Sequence, residues 1–225
     1  MILDLMRDGL SIELVVNLLA RVFIIFCVLP FHEFAHALVA QKFGDNTARL
    51  KGRLTVNPLA HVDPFGALMI IVAGFGYAKP VPVNMNNFKR GKRKQQMALV
   101  ALAGPVSNLI MAFISLFIFA AIYYKGNMNN SMLLYISLFF RYACSINISL
   151  AVFNLLPIPP LDGSKILSAV VPDKYYYKLM QYERYIIYAV FFLIFTNVLD
   201  MPISILTNLI YNSMSKVITL IFSVI

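Results

Sequence analysis

Long apolar runs separated by short polar loops set the pattern of this chain. Five runs approach the roughly 20 apolar residues that a membrane-crossing helix needs: Ser11–Gln41, Met97–Tyr124, Met132–Leu156, Tyr185–Leu199 and Ile203–Ile225. The fourth is the weakest. The first opens with Asp4, Asp8 and Glu13 and lacks both a basic leader and a small-residue cleavage site, so it is expected to stay in the protein rather than leave as a signal peptide. A sixth run, Pro64–Tyr77, holds about a dozen apolar residues interrupted by Gly66, Gly74 and Gly76, too short and glycine-rich to cross. It predicts a re-entrant or interfacial hairpin between the first and second crossings.

Composition agrees with that pattern. Of 225 residues, 60% are hydrophobic and only 13% charged, against about 45–50% apolar usage in soluble domains, and the mean hydropathy is +0.76. The expected fold class is therefore an all-α polytopic membrane protein of about five transmembrane helices plus the hairpin. No internal repeat, low-complexity tract or soluble domain interrupts it. The reading is one domain over residues 1–225, with a motif-bearing core of about 11–170 and a C-terminal helix pair at about 183–225.

The net charge of +9 raises nucleic acid as a partner, but the charges sit in two inter-span loops, as topology requires. Ten Lys and Arg residues lie between Lys42 and Gln96, and Lys165, Lys174, Lys178 and Arg184 follow the third run. The other side has only Arg7 and Lys125. Basic loops are retained in the cytoplasm, which predicts an external N-terminus and a cytoplasmic C-terminus. The NFKRGKRK run at Asn87–Lys94 is explained by that topology before anionic lipid need be invoked. Cys27 and Cys144 lie in apolar runs without CxxC spacing, as reduced packing residues do. Together with the lack of organellar targeting, this fits a prokaryotic plasma membrane.

The first run ends in FHEFAHAL, which places His32 and His36 four apart around Glu33. Side chains at that spacing share a helix face, so two imidazoles can grip one metal while Glu33 reaches an attacking water. Ionisable groups inside a membrane segment are costly and usually face a functional interior. Counted from Leu14, His32 lies about 27 Å along a core about 30 Å thick, near the cytoplasmic face. A catalytic zinc takes three protein ligands and keeps one position open. The third ligand comes from His61 or from among Asp45, Asp63, Asp162, Asp173, Glu183 and Asp200. Topology favours Asp162, which follows the rigid Pro157, Pro159 and Pro160 on the same face, although the same residue suits an N-cap for a short helix at Gly163–Val170.

HEFAH followed by NLLPIPPLDG resembles the two signatures of the site-2 protease family of intramembrane zinc metalloproteases, HExxH and NxxPxPxLDG. GRLTVNPLAHVDPFG at Gly52–Gly66 and ALAGPVSN at Ala101–Asn108 are similar to its compact bacterial and archaeal members. The likeness covers about Phe31–Ser168, without the PDZ or CBS domains of larger relatives. The resemblance implies one zinc per chain held by His32, His36 and Asp162, Glu33 as general base, and Asn154 as a stabiliser of the tetrahedral intermediate. Asn154 equally suits an interhelical hydrogen bond. His61 is a candidate for aiding the oxyanion or substrate, or else for fixing a tight turn.

The expected function is an intramembrane zinc endopeptidase that cuts a transmembrane or signal-peptide-like substrate near the cytoplasmic face. The Pro64–Tyr77 run could offer such a substrate an open strand edge. Gly104 and Asn108 read as packing residues of the second span, and Arg21 as a side chain that snorkels. The competing readings are a membrane metal transporter and an inactive scaffold. Glu33 speaks against the transporter, since transport requires no base beside the metal.

Overall fold

The computed structural model describes residues 11–73, 76–89, 92–126 and 129–224, and every regular element among them is helical. Gly74 and Phe75 of the hairpin, Arg90 and Gly91 of the basic run, and Asp4, Arg7 and Asp8 lie outside the described residues. Among the described residues, four helices are long and apolar enough to cross a membrane: Ile12–Lys42, Arg93–Lys125, Ser131–Asn154 and Asp200–Ser223. The fourth expected crossing is helical only over the 13 residues Glu183–Phe195, about 20 Å at 1.5 Å per residue. It ends where Asn197 adopts a φ of +59°. A chain that crosses four times ends on the side where it began, so the cytoplasmic C-terminus expected from five crossings depends on this short helix.

The first crossing is built in three pieces: α1 (Ile12–Phe23), a π turn at Ile24–Val28, and α2 (Leu29–Lys42). Pro30 sits just beyond the π turn and cannot donate to the preceding turn, one reason for the backbone ladder to rearrange here. Along the whole segment Val16, Ala20, Ile24, Val28, His32, His36 and Ala40 are buried, each four residues after the last. In a straight helix a four-residue step drifts by about 40°. The wider turn at Ile24–Val28 takes up part of that drift and leaves the histidines on the inner face.

Helix α6 (Arg93–Lys125) carries the matching inner face: Val100, Gly104, Asn108, Ala112, Leu116 and Ala120 are all buried at the same spacing. Small side chains there let neighbouring backbones approach closely. It packs against α2 and, most extensively, against α7 (Ser131–Asn154). Ala112, Leu116 and Ala120 meet Cys144, Ile148 and Val152 of α7 and Ile218 of the last helix, α11 (Asp200–Val224), in one apolar cluster. Cys144 is thus a packing residue, whereas Cys27 is exposed on the outer surface.

Between α2 and α6 run the short helices α3 (Thr47–Leu50) and α4 (Pro58–His61), followed by α5 (Pro64–Ala73) and a return without regular structure from residue 76 to residue 84. Ile70 of α5 packs among Ile24, Ile25, Val28 and Leu29, so the hairpin lies beside the middle of the first crossing. The two limbs touch at backbone distance: a methyl group on Gly66 would collide with the Tyr77 carbonyl, and one on Gly76 with the Gly66 carbonyl. Arg21 holds the deep end. Its Nη1 donates to the carbonyls of Ile70 (2.8 Å) and Ile71 (3.3 Å), and its Nε to Asn17 Oδ1 at 2.8 Å. Last-turn carbonyls of a helix have no partner of their own, and a cation at that end also opposes the helix dipole. Arg21 is therefore committed to this cap rather than to snorkelling.

Replacing Arg21 by Met strips those carbonyls of their donor, at an expected cost of about 1–3 kcal/mol for buried polar groups left unpaired. Amide exchange over residues 70–73 and 76–78 is expected to quicken while α6 keeps its protection. Equal protection in the variant and the parent would show that Arg21 does not hold the hairpin.

Candidate metal centre

The two ladders of four meet at the histidines. His36 Nδ1 lies 2.7 Å from the carbonyl oxygen of Val100, and His32 Nδ1 lies 3.3 Å from Asn108 Oδ1, both on α6. A carbonyl only accepts, so His36 donates from Nδ1 and its Nε2 carries a lone pair. Asn108 Oδ1 imposes the same tautomer on His32. Between these contacts, Gly104 presents bare backbone: a methyl group there would collide with the Nε2 atoms of both histidines. Pro105 follows it and leaves the Ala101 carbonyl without its usual helical donor.

The third member arrives from α8 (Asp162–Leu167), beyond the proline run that ends α7. Gly163 allows that turn, because a side chain there would strike the carbonyls of Leu155 and Leu156. Lys165 Nζ contacts Asp162 Oδ1 at 3.1 Å, which turns Oδ2 towards the imidazoles. Asp162 Oδ2 lies 3.3 Å from His32 Nε2 and 3.1 Å from His36 Nε2, and the two Nε2 atoms are 3.0 Å apart. All three residues are buried.

Three lone-pair atoms converge, with both Nδ1 protons already turned outward to acceptors. Neutral imidazoles and a carboxylate in that arrangement repel one another unless a cation lies among them. His32, His36 and Asp162 can hold a metal ion, their ligand atoms all falling within 4.8 Å of one another. Two nitrogens and one oxygen suit zinc, with one position left for water or substrate. The contacts of Asn108, Val100 and Lys165 are of the kind that orient metal ligands.

Glu33 faces the return limb of the hairpin. Its Oε2 accepts the backbone N–H of Val81 at 2.8 Å. Pro80 and Pro82 flank Val81 and have no N–H, so Val81 carries the one donor of that tripeptide. His61 fastens the base of the hairpin: its Nε2 donates to the Thr55 carbonyl at 2.8 Å, and its own carbonyl accepts the Lys79 N–H at 2.7 Å. Burial pushes the His61 imidazole below its ordinary range, and the nearby charge of Arg53 adds to this. Its Nδ1 is buried without a partner among the described residues. Asn154 Nδ2 donates to the Leu150 carbonyl of its own helix at 2.9 Å. Neither His61 nor Asn154 contacts the three-residue cluster in this arrangement.

Three other acidic candidates for the third ligand are engaged elsewhere. Burial opposes charge on Asp45, but hydrogen bonds from the backbone of Asn84 and Thr47 and from the side chains of Thr47 and Asn87 hold its carboxyl below the ordinary range. Asp63 Oδ1 caps α5 through the Gly66 N–H at 2.8 Å, and Asp173 pairs with Lys94. In the sequence Gly104 and Asn108 read as packing residues, whereas here both meet the histidines. The shared spacing of four on both helices was the available signal, but pairing the ladders requires the tertiary contact.

Gly104→Ala is expected to reduce zinc content well below one per chain, since the added methyl occupies the space of both Nε2 atoms. Asn108→Leu and Lys165→Met are expected to weaken zinc by about 10–100-fold, the usual range for losing a residue that orients a ligand. Competition with a chromophoric chelator measures all three. Zinc affinity unchanged in every variant would contradict the arrangement described.

Residues 20–131 and 122–198 match the family model for peptidase family M50. A Bacillus subtilis protein that carries the name zinc metalloprotease YwhC is 48% identical over 155 residues, covering 68% of this chain and 70% of that protein. A Methanocaldococcus jannaschii protein named as a zinc metalloprotease is 35% identical over 61% of this chain and 63% of its own length. A third so named, Rip2 of Mycolicibacterium smegmatis, is 30% identical over 60% of this chain and 51% of its own. No solved structure matches. With the motifs, the apolar helices and the His/Asp cluster in agreement with these matches, the chain belongs to peptidase family M50, the site-2 protease family of membrane-embedded zinc metalloproteases.

Proposed function

We propose that the chain is an intramembrane endopeptidase that hydrolyses a peptide bond of a transmembrane or signal-peptide-like substrate near the cytoplasmic face. The observation that carries this reading is the convergence of His32 Nε2, His36 Nε2 and Asp162 Oδ2, with Glu33 next in sequence to His32. Zinc, when held there, supplies Lewis acidity and makes water a stronger acid. Glu33 takes the proton of the attacking water and passes it to the leaving amine as the C–N bond breaks. Val81 N–H fixes one oxygen of that carboxylate. In this reading Asn154 swings its amide from the Leu150 carbonyl to the developing oxyanion, and His61 acts on substrate through the hairpin it anchors.

An unwound substrate needs backbone partners. Residues 64–73 are helical, so in this reading the backbone partner for substrate is the non-helical return of residues 76–84, which passes Glu33. The basic loops after the first and third crossings support an external N-terminus and a cytoplasmic active face in a prokaryotic plasma membrane. The residues used all fall within the core of about 11–170, leaving the C-terminal helices as its support.

Reconstitution with a model single-span substrate tests the assignment. Glu33→Gln is expected to keep zinc and lose cleavage by 10² or more, as loss of a general base does, while Asp162→Ala is expected to lose both. If Glu33→Gln cleaves as well as the parent, the base assignment fails; if the parent binds zinc but cleaves nothing, transport or a scaffold role replaces hydrolysis.

A further inference from the structure

The last helix is an exception among the crossings. Only 6% of its most apolar window is buried, against 33–39% in the other three. Its inner face, Ile203, Thr207, Ile210, Tyr211, Met214 and Ile218, packs on α6 and α7. The opposite face presents Met201, Ile205, Asn208, Leu209, Asn212 and Lys216, all exposed. Exposed apolar residues on a crossing helix need only lipid. Asn208 and Asn212 do not fit that solvent, since they lie about 12 and 18 Å along the helix from Asp200, at the depth of the hydrocarbon core.

Neither asparagine has a side-chain partner among the described residues. Ser204 and Ser213 on the same helix return their hydroxyls to the carbonyls of Met201 and Leu209, each at 2.8 Å. An asparagine amide facing lipid carries two N–H donors and an oxygen with no water to take them, and such groups are costly in hydrocarbon. The side chains recur at residues 201, 205, 208 and 212, the three- and four-residue steps of a helix–helix seam.

We propose that this face is the two-fold interface of a homodimer, with α11 of one copy against α11 of another. A two-fold axis along the membrane normal sets the two helices parallel at equal depth, so each asparagine meets its own counterpart. The amide carries both donor and acceptor, so Asn208 pairs with Asn208 of the second copy, and Asn212 with Asn212 one turn further. A helix of another protein would need a polar group at both depths. A substrate helix fits worse still, because α6 and α7 stand on the inner side of α11, whereas the histidines lie on α2. Lys216, a turn beyond the seam, has a stem long enough to carry its ammonium towards the surface.

The test is the dimer fraction in liposomes, counted by single-molecule photobleaching over a range of protein-to-lipid ratios. The parent is expected to dimerise, and Asn208→Leu with Asn212→Leu to weaken the dimer by roughly tenfold, as loss of two interhelical amide pairs implies. Retained zinc binding shows that the variant is folded, since the seam is remote from the ligands. In a Cys27→Ala background, Ile205→Cys is expected to cross-link between copies, and Leu206→Cys, which points off the seam, is not. A parent that stays monomeric at every ratio overturns the proposal and leaves a partner helix as the occupant. A dimer indifferent to both asparagines, or no cross-link at position 205, overturns it as well.

Discussion

The bare backbone of Gly104 against two imidazoles is the contact on which the rest of the molecule depends. Two histidines one turn apart on a membrane helix are free to rotate through several rotamers, and most of those do not converge. Here the second crossing comes close enough for the Val100 carbonyl and the Asn108 amide oxygen to take both Nδ1 protons. That approach is possible because no side chain intervenes at residue 104. The tautomer, the direction of the Nε2 lone pairs and the space for the Asp162 carboxylate all follow from one close helix pair.

The other elements secure that pair. The π turn keeps the histidine face aligned with Ala20 and Ile24, small residues along α6 let the helices close, and α7 packs against both α6 and the first crossing. Gly163 lets the chain fold back onto the end of α7, which delivers Asp162 at the depth of the histidines. The hairpin is fixed at both ends, by Arg21 on its deep carbonyls and by His61 at its base. Its return limb is thereby set against Glu33.

Local patterns made much of this legible before any coordinates. The HExxH spacing on an apolar run brings His32 and His36 forward as candidate ligands and Glu33 as candidate base, and a short glycine-rich run announces the hairpin. What the sequence left open are relations between distant segments. Topology alone leaves Asp162 between ligand and N-cap, a choice that the family resemblance makes, and Asn108 looks like any small polar residue of a crossing helix. Arg21 read as a snorkelling side chain, because nothing in its own run shows that a helix about fifty residues later ends beside it. The short helix Glu183–Phe195 was the weakest crossing in the sequence for the reason it is short in the structure: polar Thr196 and Asn197 interrupt its apolar run.

X-ray absorption at the zinc edge of the purified, metal-loaded protein tests the centre most directly. A site of two imidazole nitrogens and a carboxylate oxygen gives first-shell scattering at about 2.0–2.2 Å without sulfur, with the outer-shell pattern of two histidine rings. A sulfur shell near 2.3 Å, or the signal of a single imidazole, would contradict the convergence of His32, His36 and Asp162.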